Sequence, residues 1–429
     1  MAAFKDSGVE WIGKIPEDWN DCVPLRFCAT LNSATSPFDP DKPYLALENI
    51  SSWTGKVMSG EQPDQVDSSV ANYSRSDVLF GKLRPYLAKV VRPTADGQCS
   101  TELLPISPTS LDRNYLFWLL INKGFIDTVN SMTYGVKMPR TNWLQLGALY
   151  CPIPPRKEQA DIAAFLDNHC EEIDNVSQIL ESQIKILEHY RASVVHEAVT
   201  RGLIPNVPTK PSGVDWIGDI PAHWQAERIS YHCRLESGHT PSKDHPEWWK
   251  DDECVIPWLT TGDIHRFRKG ELTSIDDTEE HISETGLAHS SARILPAGTV
   301  ALSRTASVGF SIIMGRDMAT SQDFADWVPG PDVNSKYLLY VFRSMSQLFE
   351  QLKIGSTHKT IYMHVLKTLK MPLPPISEQL AIAGHLDART SAIDAVLETK
   401  RKQLDNLKRR RQSLIYEYVT GKRRVAEEE

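Results

Sequence analysis

CPIPPRKEQADIAAFLD at residues 151–167 returns as MPLPPISEQLAIAGHLD at 371–387, with nine of the seventeen positions identical. Pro154-Pro155 and Pro374-Pro375 end the extended run before each copy. Glu158 and Glu378 then fall in the first turn of the helix that each proline pair opens, where a carboxylate is favoured by the helix dipole. No proline or glycine intervenes from there to Thr200, and Gly202 and Gly421 supply matching stop signals. The first copy therefore predicts a helix over about 157–200, on the order of 65 Å long at 1.5 Å per residue. One globular core does not cover such a length.

A second pair of boxes frames the first. SGVEWIGKIPEDW at 7–19 returns as SGVDWIGDIPAHW at 212–224, again with nine identities. The tryptophan boxes are offset by 205 residues and the helix starts by 220, so the second insert is fifteen residues longer. Two copies of one frame thus hold two different inserts. Trp11, Trp19, Trp216 and Trp224 belong to the repeated frame, which predicts core anchors over base-stacking groups.

The apolar residues of the long helices indicate what they pack against. Leu166, Ile173, Leu180, Leu187 and Val194 recur every seven residues, with Ile162, Val176 and Tyr190 on the neighbouring seam. The second copy carries Leu386, Ile393, Val396, Leu397, Leu404, Leu407 and Leu414, interrupted by Lys400 and Gln403. Two helices of one chain wrapped around each other are expected, antiparallel if a twofold axis relates the halves.

Between the boxes, each insert mixes strand-like runs with helical stretches. The runs include 77–91 and 298–313, and the helices are expected at about 111–130 and 333–353. This mixture predicts an α+β domain in each half. Asp77-Val-Leu-Phe-Gly-Lys82 aligns with Thr299-Val-Ala-Leu-Ser-Arg304, so the inserts read as diverged copies.

Composition narrows the functional classes. The chain has 429 residues, 41% hydrophobic and 24% charged, as in ordinary globular protein. It has no apolar run long enough to span a membrane, and its first residues lack a signal-peptide core, so a cytoplasmic location is expected. Seven scattered cysteines without a CxxC pair predict reduced thiols. The net charge of −8 is not that of a typical DNA binder, yet ten Lys or Arg residues crowd Lys400 to Arg424. That stretch is open to two readings, contact with DNA or docking of a partner.

Catalytic motifs are absent. The chain has no phosphate loop, no dinucleotide turn and no methyl-transfer motif, and its thirteen histidines show no HExxH spacing. Glu398-Thr399-Lys400 matches half of a nuclease motif but lies on the predicted coil. No catalysis by this chain alone is expected.

The duplicated GVxWIGxIPxxW boxes, the duplicated PxPPxxEQxxIAxxLD helix starts and the paired long helices resemble the specificity (S) subunit of type I restriction-modification systems. The resemblance runs from about Ser7 to Arg424. It implies two α+β target-recognition domains, 1–150 and 206–370, each reading half of a bipartite DNA site. It implies that conserved helices in 151–205 and 371–424 pair as an antiparallel coiled-coil spacer, giving an internal pseudo-twofold repeat. It further implies two methylation subunits as partners, with motor-nuclease subunits bound through them, and S-adenosylmethionine, ATP and Mg on those partners and not on this chain. The rival class is a coiled-coil scaffold that never meets DNA.

Candidate DNA contacts come from basic and hydroxyl side chains on turns of the inserts. In the first they are Lys82, Arg84, Tyr86 and Lys89, with Lys137 and Arg140 on a second loop. In the second they are Arg266, Arg268 and Lys269; Ser303, Arg304 and Thr305; and Thr357, His358 and Lys359. Arg can take both acceptors of a guanine, whereas Lys more often neutralises phosphate. Gly135 and Gly355 align at the 220 offset, marking equivalent loops.

Overall fold

The structure, a computed structural model, describes residues 3–58, 63–66, 68–135, 137–250, 252–355 and 359–425. The chain divides into two compact units, Met1–Glu181 with Lys402–Glu429, and Ser182–Arg401. Each long helix, Arg156–Arg201 and Ile376–Val419, contributes its first part to one unit and its last part to the other. Both units mix helix and sheet.

In the first unit an antiparallel sheet runs in the order Ala29–Leu31, Leu103–Pro108, Val78–Gly81, Val90–Val91. A smaller sheet holds Thr35–Ser36, Val70–Tyr73, Gly97–Cys99 and Tyr44–Leu45. The second unit repeats the larger sheet with Cys233–Ser237, Phe324–Pro329, Val300–Ser303 and Ser311–Met314, and adds Ser274–Ile275 as a parallel edge strand. In both, a two-stranded ladder joins the segment after the tryptophan box to the strand entering the long helix: Asn20–Pro24 with Tyr150–Ile153, and Gln225–Arg228 with Lys370–Leu373.

Each expected single helix of the inserts is two. Arg113–Leu120 and Lys123–Ser131 are separated at Asn122, whose side chain caps the second helix by accepting from the Gly124 N–H at 2.9 Å. Ser335–Ser344 and Ser346–Leu352 likewise break at Met345. The first helix of each pair packs on its sheet, where Tyr115 to Ile121 and Tyr337 to Phe342 are buried.

The two repeated boxes are joined by hydrogen bonds, which explains why they repeat together. The buried Trp19 indole donates to Glu158 at 2.9 Å, and the buried Trp224 indole donates to Glu378 at 3.0 Å. The next residue does equivalent work. Gln159 accepts from the Asp112 N–H at 2.7 Å and donates to the Pro154 carbonyl at 2.9 Å. Gln379 accepts from Asn334 at 2.9 Å and donates to the Asp332 and Pro374 carbonyls at 2.8 and 2.9 Å. Trp19 and Trp224 are thus core anchors, while Trp11 and Trp216 pack half-buried against the same clusters.

The helix ends close on the opposite box. Gly421, at the end of the second long helix, lies against Trp19 of the first box, and Gly202, ending the first, lies against Trp224. Both have positive φ, 71° and 75°, and a Cβ at either would stand within 3.0 Å of the indole ring, so a side chain fits neither the backbone nor the space.

Within each unit the two helical segments run antiparallel. In the first unit Glu158 meets Arg424, Phe165 meets Tyr418, Asp174 meets Arg411 and Glu181 meets Lys408. In the second, Gln183 meets Lys400 and Arg191 meets Asp394. The every-seven series faces inward, with Leu166 and Leu180 buried and Ile173, Leu187 and Val194 half-buried. Leu386, Ile393 and Leu397 are buried on the second helix, and Leu404, Leu407 and Leu414 half-buried. Val176, Tyr190 and Val396 are exposed, because a helix packed on one neighbour covers only a narrow seam. Much of the basic stretch from Lys400 to Arg424 is held in these pairs and in Arg401 with Glu188 and Glu271, and Arg424 with Asp18.

Candidate nucleic-acid interface

In the first unit the strand Val78–Gly81 ends at Lys82, and the chain turns through a short 3-10 helix, Pro85–Leu87. Pro85 disfavours the right-handed helical region for the residue before it, and Arg84 takes φ 51°; Ala88 closes the turn at φ 45°. Both conformations are costly for residues with a Cβ. The second basic loop lies on this turn: Leu83 and Arg140 form a β-bridge, the Arg84 N–H donates to the Pro139 carbonyl at 2.7 Å, and Thr141 donates to the Lys82 carbonyl at 3.0 Å. Lys82 and Arg140 share Glu102, at 4.0 and 3.4 Å. Arg84, Tyr86 and Lys137 are exposed beside them. Lys89 is turned inward, its ammonium donating to the Leu47 carbonyl at 2.6 Å.

The second unit builds the same joint from different residues. Thr305 and Thr360 form the β-bridge, Ala306 donates to the Lys359 carbonyl at 3.0 Å, and Ile361 donates to the Arg304 carbonyl at 2.9 Å. Ala306, like Arg84, has positive φ, 58°. Lys359 is exposed and Thr305 half-buried. Thr357 and His358 lie outside the described residues.

Ser303 is a correction to the surface set. It is wholly buried, its hydroxyl donating to the Ser307 carbonyl and accepting from the Phe310 N–H, because the strand Val300–Ser303 is covered on both faces to its last residue. Arg304 is half-buried, and its Nε is buried with no hydrogen-bond partner among the described residues. Nearby Asp326 is fully buried and accepts from the Thr320 hydroxyl at 2.6 Å. Burial pushes its carboxyl up to about 7; Glu236 adds to the rise, while the Thr320 hydrogen bond and Arg304 oppose it.

The third basic segment flanks this joint. Arg268 lies over the Phe310 ring at 5.3 Å and donates to the Ser307 hydroxyl at 3.2 Å, and Lys269 is exposed. Arg266, although exposed, is tied to the Asp277 carbonyl at 2.7 Å and to buried Asp263 at 3.4 Å. The structure therefore brings Lys82, Arg84, Tyr86, Lys137 and Arg140 onto one pair of bridged loops, and Arg304, Thr305 and Lys359, with Arg268 beside them, onto another. It also supplies ion pairs that sequence reading missed, Arg92 with Asp167, Arg411 with Asp174 and Arg191 with Asp394. The signal was present for two of them: Asp174 with Asp394, and Arg191 with Arg411, each repeat at the 220 offset. Among the described residues no group of three His, Cys, Asp or Glu side chains is placed to hold a metal ion.

Comparison with known proteins bears on what these clusters serve. Residues 221–406 match the family profile described as "Type I restriction modification DNA specificity domain". The putative type I restriction enzyme MjaX specificity subunit of Methanocaldococcus jannaschii is 25% identical over 96% of this chain and 96% of its own length. Over the matched residues this chain is similar to the DNA specificity subunits of type I restriction-modification systems. A second relative from the same organism, the MjaIX specificity subunit, is 33% identical over 45% of this chain and 43% of its own length. The fold agrees with a solved chain described under "complex assembly and conformational transition of the type I R-M system", at TM-score 0.70 and 18% identity, over 94% of this chain and 98% of that one. No helix among the described residues is long and apolar enough to cross a membrane.

Proposed function

We propose that residues 1–150 and 206–370 are target-recognition domains, each reading one half of a bipartite DNA site, and that 151–205 and 371–424 form an antiparallel coiled-coil spacer with pseudo-twofold symmetry. The observation that carries this reading is the joint built twice: a strand end bridged to a second loop through Leu83 and Arg140 in one unit, and through Thr305 and Thr360 in the other. The backbone construction is the same, but the side chains differ. Two readers of different surface call for two different half-sites, so the full target is asymmetric.

DNA repeats about every 34 Å along its axis, and readers on one face must be held at fixed separation and phase. Paired helices of 46 and 44 residues supply the stiffness that a flexible linker lacks. Their length sets the number of unread base pairs. The repeated boxes, hydrogen-bonded through Trp19 with Glu158 and Trp224 with Glu378, form two equivalent frames, one for each of two methylation subunits, with motor-nuclease subunits joining through these. The chain itself catalyses nothing; S-adenosylmethionine, ATP and Mg act on the partners, in the cytoplasm.

A filter-binding selection from random duplex DNA, with the methylation subunits present, tests the reading. Enrichment of one asymmetric, gapped sequence is expected, and retention without sequence preference overturns it.

A further inference from the structure

In each unit a largely buried arginine joins both long helices to a loop of the insert. In the first, Arg411 of the second long helix donates to Asp174 of the first long helix at 2.8 and 3.4 Å, and through its remaining nitrogen to the Trp53 carbonyl at 2.8 Å. In the second, Arg191 of the first long helix donates to Asp394 of the second at 2.7 and 3.0 Å, and to the Gly270 carbonyl at 2.7 Å. All four side chains are largely buried. An ion pair that served only to hold two helices together would not need the third contact.

The loop carbonyls belong to residues of the same unusual conformation, Trp53 at φ 65° and Gly270 at φ 74°. Both lie next to the candidate reading segments. Gly270 directly follows Arg266, Arg268 and Lys269, and its carbonyl also accepts from Arg343 at 2.9 Å. The Trp53 N–H donates at 3.2 Å to the carbonyl of Ala88, within the turn that carries Lys82, Arg84 and Tyr86. A guanidinium is suited to the task, because its planar fork can engage a carboxylate with two N–H groups while others reach a carbonyl.

We propose that Arg411 and Arg191 are positioning residues that clamp each reading segment to the helix pair, with Asp174 and Asp394 orienting them. The inference rests on the specificity-subunit reading above. The clamp holds each basic loop in fixed register with the spacer, so that spacing between half-sites is read as strictly as their sequence.

The test uses the complete complex with its methylation subunits and a DNA library in which the half-sites are separated by the native spacer, or by one or two base pairs more or fewer. Methylation rate on each spacer is the readout. Arg191→Met and Arg411→Met are expected to reduce discrimination against the wrong spacers by about tenfold, the scale of one lost charge-assisted hydrogen bond, with the half-site sequences unchanged. Arg191→Lys, which keeps the charge but not the fork, recovers part of the loss. Lys336→Met removes a pairing between the insert helix Ser335–Ser344 and Asp387 of the second long helix, away from the loop carbonyls, and lowers melting temperature without relaxing spacing. Unrelaxed spacing in both methionine variants overturns the clamp, whereas a wild-type complex that methylates without sequence selection overturns the specificity-subunit reading itself.

Discussion

Replacing Gln379 with methionine keeps the side-chain volume but removes every hydrogen bond the amide makes. Gln379 is wholly buried, and the loss leaves the Asn334 N–H and the Asp332 and Pro374 carbonyls without their partner. A buried backbone group deprived of its partner costs about 1–3 kcal/mol, so the three together amount to about 3–6 kcal/mol once partial access to water is allowed for. Asn334 also caps the helix Ser335–Ser344, accepting from Tyr337 at 3.0 Å, so the cost falls on that helix and its packing on the long helix. Gln159 makes the equivalent connection with two bonds, and Gln159→Met is expected to cost about 2–4 kcal/mol by the same count. Urea unfolding of the intact chain gives the size of each effect, and hydrogen exchange resolved by mass spectrometry locates it. Exchange should quicken over Ser335–Ser344 in the first variant and over Arg113–Leu120 in the second. A cost below about 1 kcal/mol for Gln379→Met, or exchange unchanged at Ser335–Ser344, would refute the assignment of the repeated glutamine as the tie between insert and helix.

Asp326 keeps its proton in the folded state to about pH 7, whereas the unfolded chain releases it near its ordinary 3.8. Its favourable contribution is complete below about pH 4 and is lost as pH rises toward 7, on the order of 4 kcal/mol in all. Asp326→Asn should flatten that dependence in urea midpoints measured at pH 5 and pH 8; parallel pH profiles for variant and wild type contradict it. Lys359 and Arg84 are exposed at the loop clusters, so replacing either with alanine should lower the slope of log affinity against log salt by about 0.9 if each neutralises one phosphate. An unchanged slope removes that residue from the interface. Inserting four residues into both long helices, about 6 Å of rise, should lengthen the methylated target's spacer by about two base pairs and leave its half-sites alone. Unaltered spacing by methylation mapping counts against the ruler.

Local signals carried much of this molecule in the sequence. Proline pairs, helix-forming runs and closing glycines depend only on near neighbours along the chain, so the first long helix, expected over about 157–200, was legible to within a residue or two, and the second was bracketed by Pro374-Pro375 and Gly421. The tandem boxes were legible because duplication is a property of order alone, and the basic turns because charge and turn residues are visible without a fold. What the boxes do for each other was not. The first-turn glutamates read as dipole partners, yet they also accept from tryptophans 139 and 154 residues away in sequence. Ser303 read as a surface hydroxyl beside Arg304 because the strand's own residues do not say that both of its faces are covered to the last position.

The sequence by itself determined that there are two frames, two long helices and two diverged inserts, since repetition and periodicity are written residue by residue. Only the tertiary structure decided that each helix ends on the other half's tryptophan box, and that Arg411 and Arg191 reach across to Asp174 and Asp394. Those pairs lie 237 and 203 residues apart in the chain. Ion pairs and buried hydrogen bonds depend on atoms a few ångströms apart in space, and chain order gives no measure of that distance until the helices have packed.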